Sequence, residues 1–363
     1  MFQAPLAPEY TRLVPEAIAE RIGVVRASLG DSVLILGHHY QRDEIIRWAD
    51  YRGDSYKLSR QAAEHPGQPT IVFCGVHFMA ESADLLTEPD RAVLLPNMAA
   101  GCSMADMASV RQVQDAWDAL GKAIDVGGVV PITYVNSAAA LKAFVGRHGG
   151  SCCTSANARK VLEWALSRGQ RVMFFPDQHL GRNTAVEMGF DPDADMALWD
   201  PHLPAGGLEP ERLRAARFIL WKGHCSVHQR FTVEQIERAR RDHPSVRVIV
   251  HPECALEVVR AADANGSTER IIEAVRSGEP GSVWAVGTEI HLVSRLQKEL
   301  PDRRVFCLDP VICPCSTMYR IHPRYLLWVL ESLASGVVVN RVRVAGEDRE
   351  PARLSLERML AIS

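Results

Sequence analysis

Three cysteines carry the strongest chemical signal in the chain, because each follows a short apolar run that reads as a strand. Cys102 lies in NMAAGCSMAD after RAVLLP, and Cys225 lies in FILWKGHCSVHQRF within and after RFILW. Cys315 lies in ICPCSTMYRI, several residues past RRVFCL. Open α/β sheets place their ligands at strand C-terminal ends, so three thiols there predict one shared centre. Three thiolates suit a soft metal or an iron–sulfur cluster. A cluster on four cysteines is coordinatively full, whereas three leave one iron open to act as a Lewis acid on a hydroxyl or carbonyl. The rival is a closed zinc site of Cys₃His type, with His224 or His228 as fourth ligand. The wide separation of the thiols resembles no zinc-finger signature and favours the cluster.

Other polar residues recur in the same order as the thiols. In the first section an apolar strand ends in His38-His39-Tyr40, Gly53-Asp54-Ser55 opens a helix, and Cys102 follows. In the second, VVPITYV ends in Tyr134-Val135-Asn136, Thr154-Ser155-Ala156-Asn157 opens a helix, and Cys225 follows. In the third, VRVIV runs into His251-Pro252-Glu253, Gly266-Ser267-Thr268 opens a helix, and Cys315 follows. Such an order predicts triplication around a pseudo-threefold axis. Each copy would contribute a thiolate, a strand-end polar pair, and a helix N-terminus able to hold phosphate or carboxylate. The plainer reading is that Ser55, Ser155 and Thr268 are ordinary N-caps.

The elements that must position these groups are legible in the apolar runs. SVLILG, TIVFCGV, AVLLP, VVPITYV, SCCT, VMFF, FILW, VRVIVH, VWAVG and VFCL alternate with amphipathic stretches such as ANARKVLEWALSRG and ERIIEAVRSG. Buried strands of four to seven residues between helices mean βαβ units and parallel sheets covered on both faces. The expected fold class is therefore α/β, with three similar α/β/α domains. Their expected bounds are 1–109, completed by 316–363, then 110–225, then 226–315. The Gly-containing stretch FVGRHGG is expected to be a surface loop, and the Pro- and Gly-rich stretch 191–217 a long loop, lid or decoration.

Composition narrows the partners. A chain with 47% hydrophobic and 23% charged residues, a net charge of −3 and no long block of like charge is not expected to bind nucleic acid. No apolar stretch reaches the length of a membrane span, and the N-terminus lacks a secretory pattern, so no membrane contact and a cytoplasmic location are expected. In that reducing setting nine cysteines point to metal or catalysis rather than disulfides. Cys74, Cys152, Cys153, Cys254 and Cys307 sit in or beside apolar runs and read as small hydrophobes.

The stretches LGHHYQ, GDS, FCGVHFMAESA, AGCSMAD, YVNSAAALKA, CTSANA, FFPDQHLG, WKGHCSVH, HPEC, GSTERII, GTEIHL and CPCSTMYRI together resemble quinolinate synthases, in family order from about residue 33 to 330. The resemblance implies a central 4Fe-4S cluster and condensation of iminoaspartate with dihydroxyacetone phosphate to quinolinate, with loss of phosphate and two waters, in de novo NAD biosynthesis. It implies Cys102, Cys225 and Cys315 as ligands, Cys315 over Cys313 because the family's ligand stands three residues before a methionine. It implies His38, Tyr40, Tyr134, His251 and Glu253 as catalytic residues. Asn136, Ser55, Ser155, Ser267 and Thr268 join them as substrate contacts. An L-aspartate oxidase or dehydrogenase as imine source and the iron–sulfur assembly machinery are the implied partners. The C-terminal part is implied to pack on the first domain. Two other readings of an open iron are a hydro-lyase on a single hydroxy acid and a non-enzymatic redox sensor.

Overall fold

A computed structural model of the chain describes residues 2–311 and 314–362. The apolar runs become three separate sheets. β1 (Val33–His38), β2 (Tyr51–Gly53), β3 (Thr70–Cys74) and β4 (Ala92–Leu94) form the first. β5 (Val129–Tyr134), β6 (Ser151–Cys153), β7 (Arg171–Phe175), β8 (Met196–Trp199) and β9 (Phe218–Trp221) form the second. β10 (Arg247–Val250), β11 (Ala264–Asn265), β12 (Val283–Gly287) and β13 (Arg304–Cys307) form the third, and β14 (Arg341–Val342) returns to the first. The orders are β14-β4-β3-β1-β2, β6-β5-β7-β9-β8 and β11-β10-β12-β13. In every sheet the second strand lies at an edge, the first beside it, then the third, then a fourth. All pairings are parallel except β14 on β4. The fold is thus α/β with three parallel-dominated sheets, as the alternation of runs requires.

Strands β1, β3 and β5 are buried along their whole length, which is why they read as continuous apolar runs rather than alternating ones. The covering helices start at specific caps. Ser109 and Gln112 form a capping box for the helix Val110–Leu120, and Thr232 and Gln235 form one for Val233–Asp242.

The chain divides into two compact units. One contains residues 2–102 and 314–345 with the first sheet, and the other contains 103–311 and 346–362 with the second and third sheets. The C-terminal segment is therefore split. The helix Pro323–Ala334 and β14 belong to the first unit, whereas the last helix, Arg349–Ala361, packs against the helix Ala139–Arg147 and β6 in the second. This corrects the expectation that all of 316–363 completes the first domain. The reason is steric: Gly146 has no side chain, and a Cβ there would land on the Pro351 carbonyl, so the two helix backbones can meet.

The same packing corrects the reading of FVGRHGG as a surface loop. Its first four residues are helical, with Phe144, Val145 and Gly146 buried, and the His148 ring stacks on Phe144 with centroids 4.1 Å apart. The stretch 191–217 is no unstructured loop either, since it supplies β8, which pairs with β9 as the outer strand of the second sheet.

Candidate active site

In the first two sheets the expected polar residues stand at equivalent strand ends. His38 ends β1 and is in register with Gly53 of β2, and Tyr134 ends β5 in register with Cys153 of β6. Ser55 and Ser155 each lie two residues beyond that partner. In the third sheet Val250 pairs with Asn265, two residues before Ser267, so His251 lies one residue past the strand. The turn that follows is nonetheless the same. The backbone N–H of Tyr40 donates to His38 Nδ1 at 3.1 Å, and that of Glu253 donates to His251 Nδ1 at 3.3 Å. Each histidine ring is thereby fixed through its Nδ1. The His38 and Tyr40 rings meet edge to face, 4.7 Å between centroids.

The helix-start hydroxyls divide. Ser267 is the N-cap of Thr268–Arg276 and accepts from the Arg270 N–H, so its oxygen is partly spent on the helix. For the helix Ser55–Glu64 the cap is Asp54, and for Ala158–Arg168 it is Asn157, whose side chain instead holds Thr154. The hydroxyls of Ser55 and Ser155 are therefore not caps, and Thr268 is the first helical residue rather than the cap. Asn136 keeps a buried Oδ1 that has no partner among the described residues.

Around Glu253 the second unit builds a buried proton-handling group. Glu253 and His251 are each 2% exposed and His228 is 1% exposed. His228 Nδ1 donates to Glu253 Oε2 at 2.5 Å, its Nε2 meets Thr288 Oγ1 at 3.1 Å, and its ring stacks on His251 with centroids 4.3 Å apart. The Tyr134 hydroxyl also bonds Glu253. Burial alone would raise the Glu253 carboxyl, but the two imidazoles and the hydrogen bonds from His228 and Tyr134 outweigh it and bring it down to about 2. Burial and the neighbouring His228 push His251 down to about 3, against the pull of Glu253. At neutral pH the site thus holds an ionised carboxylate beside a neutral imidazole.

Sequence reasoning did not place His228 in this group beyond weighing it as a zinc ligand, and it missed His179, Asp177 and Asn183. Asp177 caps the helix Gln178–Glu187 by accepting from Leu180 N–H at 2.8 Å. Asn183 on that helix donates to the carbonyls of Pro252 and Cys254, both at 2.8 Å, so it clamps the loop that carries Glu253. His179 is 8% exposed, and neither ring nitrogen has a partner among the described residues. Burial, then the positive charges of Arg182 and His224, lower it to about 4 against the pull of Glu253. The motif FFPDQHLG was the visible signal.

Each expected thiol ligand is half-buried and stands three residues before a single 3₁₀ turn: Cys102 before Ala105–Met107, Cys225 before His228–Arg230, Cys315 before Met318–Arg320. The Cys225 carbonyl accepts from Gln229 N–H at 3.0 Å, and the Cys315 carbonyl accepts from Tyr319 N–H at 2.9 Å. Cys313 lies outside the described residues. Burial pushes Cys74 up to about 12, Cys152 and Cys307 up to about 11, and Cys153 and Cys254 well above an ordinary thiol, so these five stay protonated. Three partly accessible thiols in one repeated setting fit a soft metal or cluster; four of the other five are buried, and the half-buried Cys307 lies within β13 with its Sγ on the Thr288 carbonyl at 3.8 Å. The ligand atoms of Cys225, His228 and Glu253 lie within 4.8 Å of one another.

With that geometry in hand, known proteins are informative. The profile of the family described as quinolinate synthetase A protein matches residues 20–361. Proteins named quinolinate synthase are similar along nearly their whole length. The one from Corynebacterium glutamicum is 56% identical, covering 99% of this chain and 91% of its own. The one from Rhodopirellula baltica is 54% identical over 99% and 94%, and the one from Geobacillus kaustophilus 50% identical over 98% and 96%. The chain belongs to the quinolinate synthase family. It is an enzyme. Among the described residues no helix is long and apolar enough to cross a membrane.

Proposed function

We propose that the chain condenses iminoaspartate with dihydroxyacetone phosphate to quinolinate, releasing phosphate and two waters, as a step of NAD biosynthesis. The observation that carries this reading is the meeting of a thiol and proton-handling groups, with the ligand atoms of Cys225, His228 and Glu253 within 4.8 Å of one another. Cys102, Cys225 and Cys315 would hold a 4Fe-4S cluster. When bound, a cluster on three thiolates supplies a Lewis-acid iron with one open position.

The rest of the chemistry falls to side chains. Forming a pyridine ring from an imine and a triose phosphate needs phosphate elimination, carbon–carbon bond formation, a ketose–aldose proton shift, imine closure and dehydration. Each step moves protons. Glu253, ionised and bonded to Tyr134, is suited to take protons and pass them through that hydroxyl. Tyr40, edge-on to His38, is placed to serve as a second proton carrier. His38 and the neutral His251 are suited to hold substrate oxygens. His179 adds a buried imidazole whose two nitrogens the reactants can occupy. The hydroxyls of Ser55 and Ser155, with Asn136, Ser267 and Thr268, take the carboxylates and the phosphate.

The iminoaspartate is unstable, so an L-aspartate oxidase or dehydrogenase acting alongside is part of the proposal, as is cluster loading by the assembly machinery. The test is anaerobic assay of the reconstituted enzyme for quinolinate. Product must require both the imine and dihydroxyacetone phosphate. Turnover of a single hydroxy acid, or no product at all with an intact cluster, would overturn the reading.

A further inference from the structure

We propose that the first unit carries a separate anion site that takes the phosphate of a small phosphorylated compound. It is a groove of about 510 Å³ lined by the N-terminal segment, Arg42, the turn at Arg320 and the start of the helix Pro323–Ala334. Arg42, Arg320, Arg324 and His322 all line it, and none of its lining residues is acidic. His38, Tyr40 and the three cysteines are not part of its wall.

The three guanidinium groups are held but not neutralised. Arg42 donates through Nη2 to the Tyr319 carbonyl at 2.6 Å and lies over the Tyr319 ring at 3.7 Å. Arg320 donates through Nη1 to the Ala99 carbonyl at 2.9 Å, and Arg324 through Nη2 to the Leu13 carbonyl at 3.1 Å. Among the described residues none of the three has a carboxylate within ion-pair distance. Neighbouring arginines of the same unit do, as with Arg21 on Glu331 at 2.6 Å. One nitrogen of each group is thus tied to backbone, which fixes the fork in place, while among the described residues the other N–H groups have no acceptor within hydrogen-bond distance, the Nε of Arg42 and of Arg324 included. A pre-set fork of this kind matches phosphate oxygens and loses little freedom on binding.

Two further features add to the field. His322 is the N-cap of a twelve-residue helix and accepts the Arg324 N–H, so the positive end of that helix opens into the groove. Burial, then the charges of Arg42 and Arg324, lower His322 to about 4 against the pull of Glu44. Tyr319, Tyr325 and Leu6 supply an apolar wall on which the body of an organic phosphate can lie.

Calorimetric titration of the holoenzyme with inorganic phosphate, pyrophosphate, adenosine diphosphate and adenosine tests the site. The expected result is saturable binding of the phosphorylated probes and none of adenosine. Arg320→Gln with Arg324→Gln should weaken it about tenfold or more per arginine and leave quinolinate formation without added anion unchanged. Tighter binding of adenosine diphosphate than of pyrophosphate would assign the site to an organic phosphate, and equal binding would assign it to the inorganic ion. Should the double variant fail to fold, the exposed Arg320→Gln alone carries the comparison. No saturable binding of any phosphorylated probe, affinity unchanged in the variants, or adenosine binding as tightly as its diphosphate would overturn the proposal.

Discussion

At the scale of single residues Glu253 is the centre of the proposed chemistry, because it is buried, ionised and bonded to His228 and Tyr134. Glu253→Gln keeps the shape and removes the charge. It should lower quinolinate formation by about 10²–10⁴-fold while the cluster's absorbance stays, as loss of a general acid–base group does. Turnover within twofold of the parent would contradict the role. The strand-end residues were legible in the sequence because they recur three times in the same order before a helix start and a thiol; alone, a histidine or tyrosine at the end of an apolar run is an ordinary strand residue. His228, Asn183 and His179 were not, because their meaning lies in partners brought from distant strands: His228 on His251, Asn183 on the Pro252 and Cys254 carbonyls. The buried thiols were legible from their apolar neighbours, and their raised values follow from the same burial.

Two elements make independent predictions. The helix Ala139–Arg147 meets the last helix at Gly146, where a Cβ would strike the Pro351 backbone. Gly146→Ala should therefore cost about 1–3 kcal/mol and lower Tm by several degrees, whereas an unchanged Tm would mean the helices do not pack there. The second concerns His322, held at about 4 in the folded chain against about 6.5 unfolded. Between those values the unfolded state binds the extra proton, so the contribution of this group is complete above pH 6.5 and lost as pH falls through 4. His322→Asn retains a capping side chain but cannot titrate. Denaturant unfolding should show a shallower fall in stability for the variant between pH 6.5 and 4, and identical slopes would refute this. Periodicity located most helices and strands, but it could not show that FVGR continues a buried helix or that 191–217 holds β8. Glycine is a turn signal in isolation, and only the facing Pro351 backbone explains Gly146.

For the molecule as a whole, the three sheets share the order second, first, third strand from one edge, and the three cysteines are each followed at the same interval by a 3₁₀ turn, which is the pattern of one unit used three times. The repeat of chemistry was visible in the sequence because strand end, helix start and thiol keep their order. The division into two compact units and the split of the C-terminal segment were not, because they depend on which faces find partners. The central claim is that Cys102, Cys225 and Cys315 together hold the cluster that the enzyme uses. Anaerobic iron and sulfide analysis of single Cys→Ser variants at 102, 225, 313 and 315, beside quinolinate formation, tests it most directly. The account predicts that Cys313→Ser keeps a full 4Fe-4S complement and activity while the other three lose both. A variant at 102, 225 or 315 that keeps the cluster, or loss of it in Cys313→Ser alone, would contradict it.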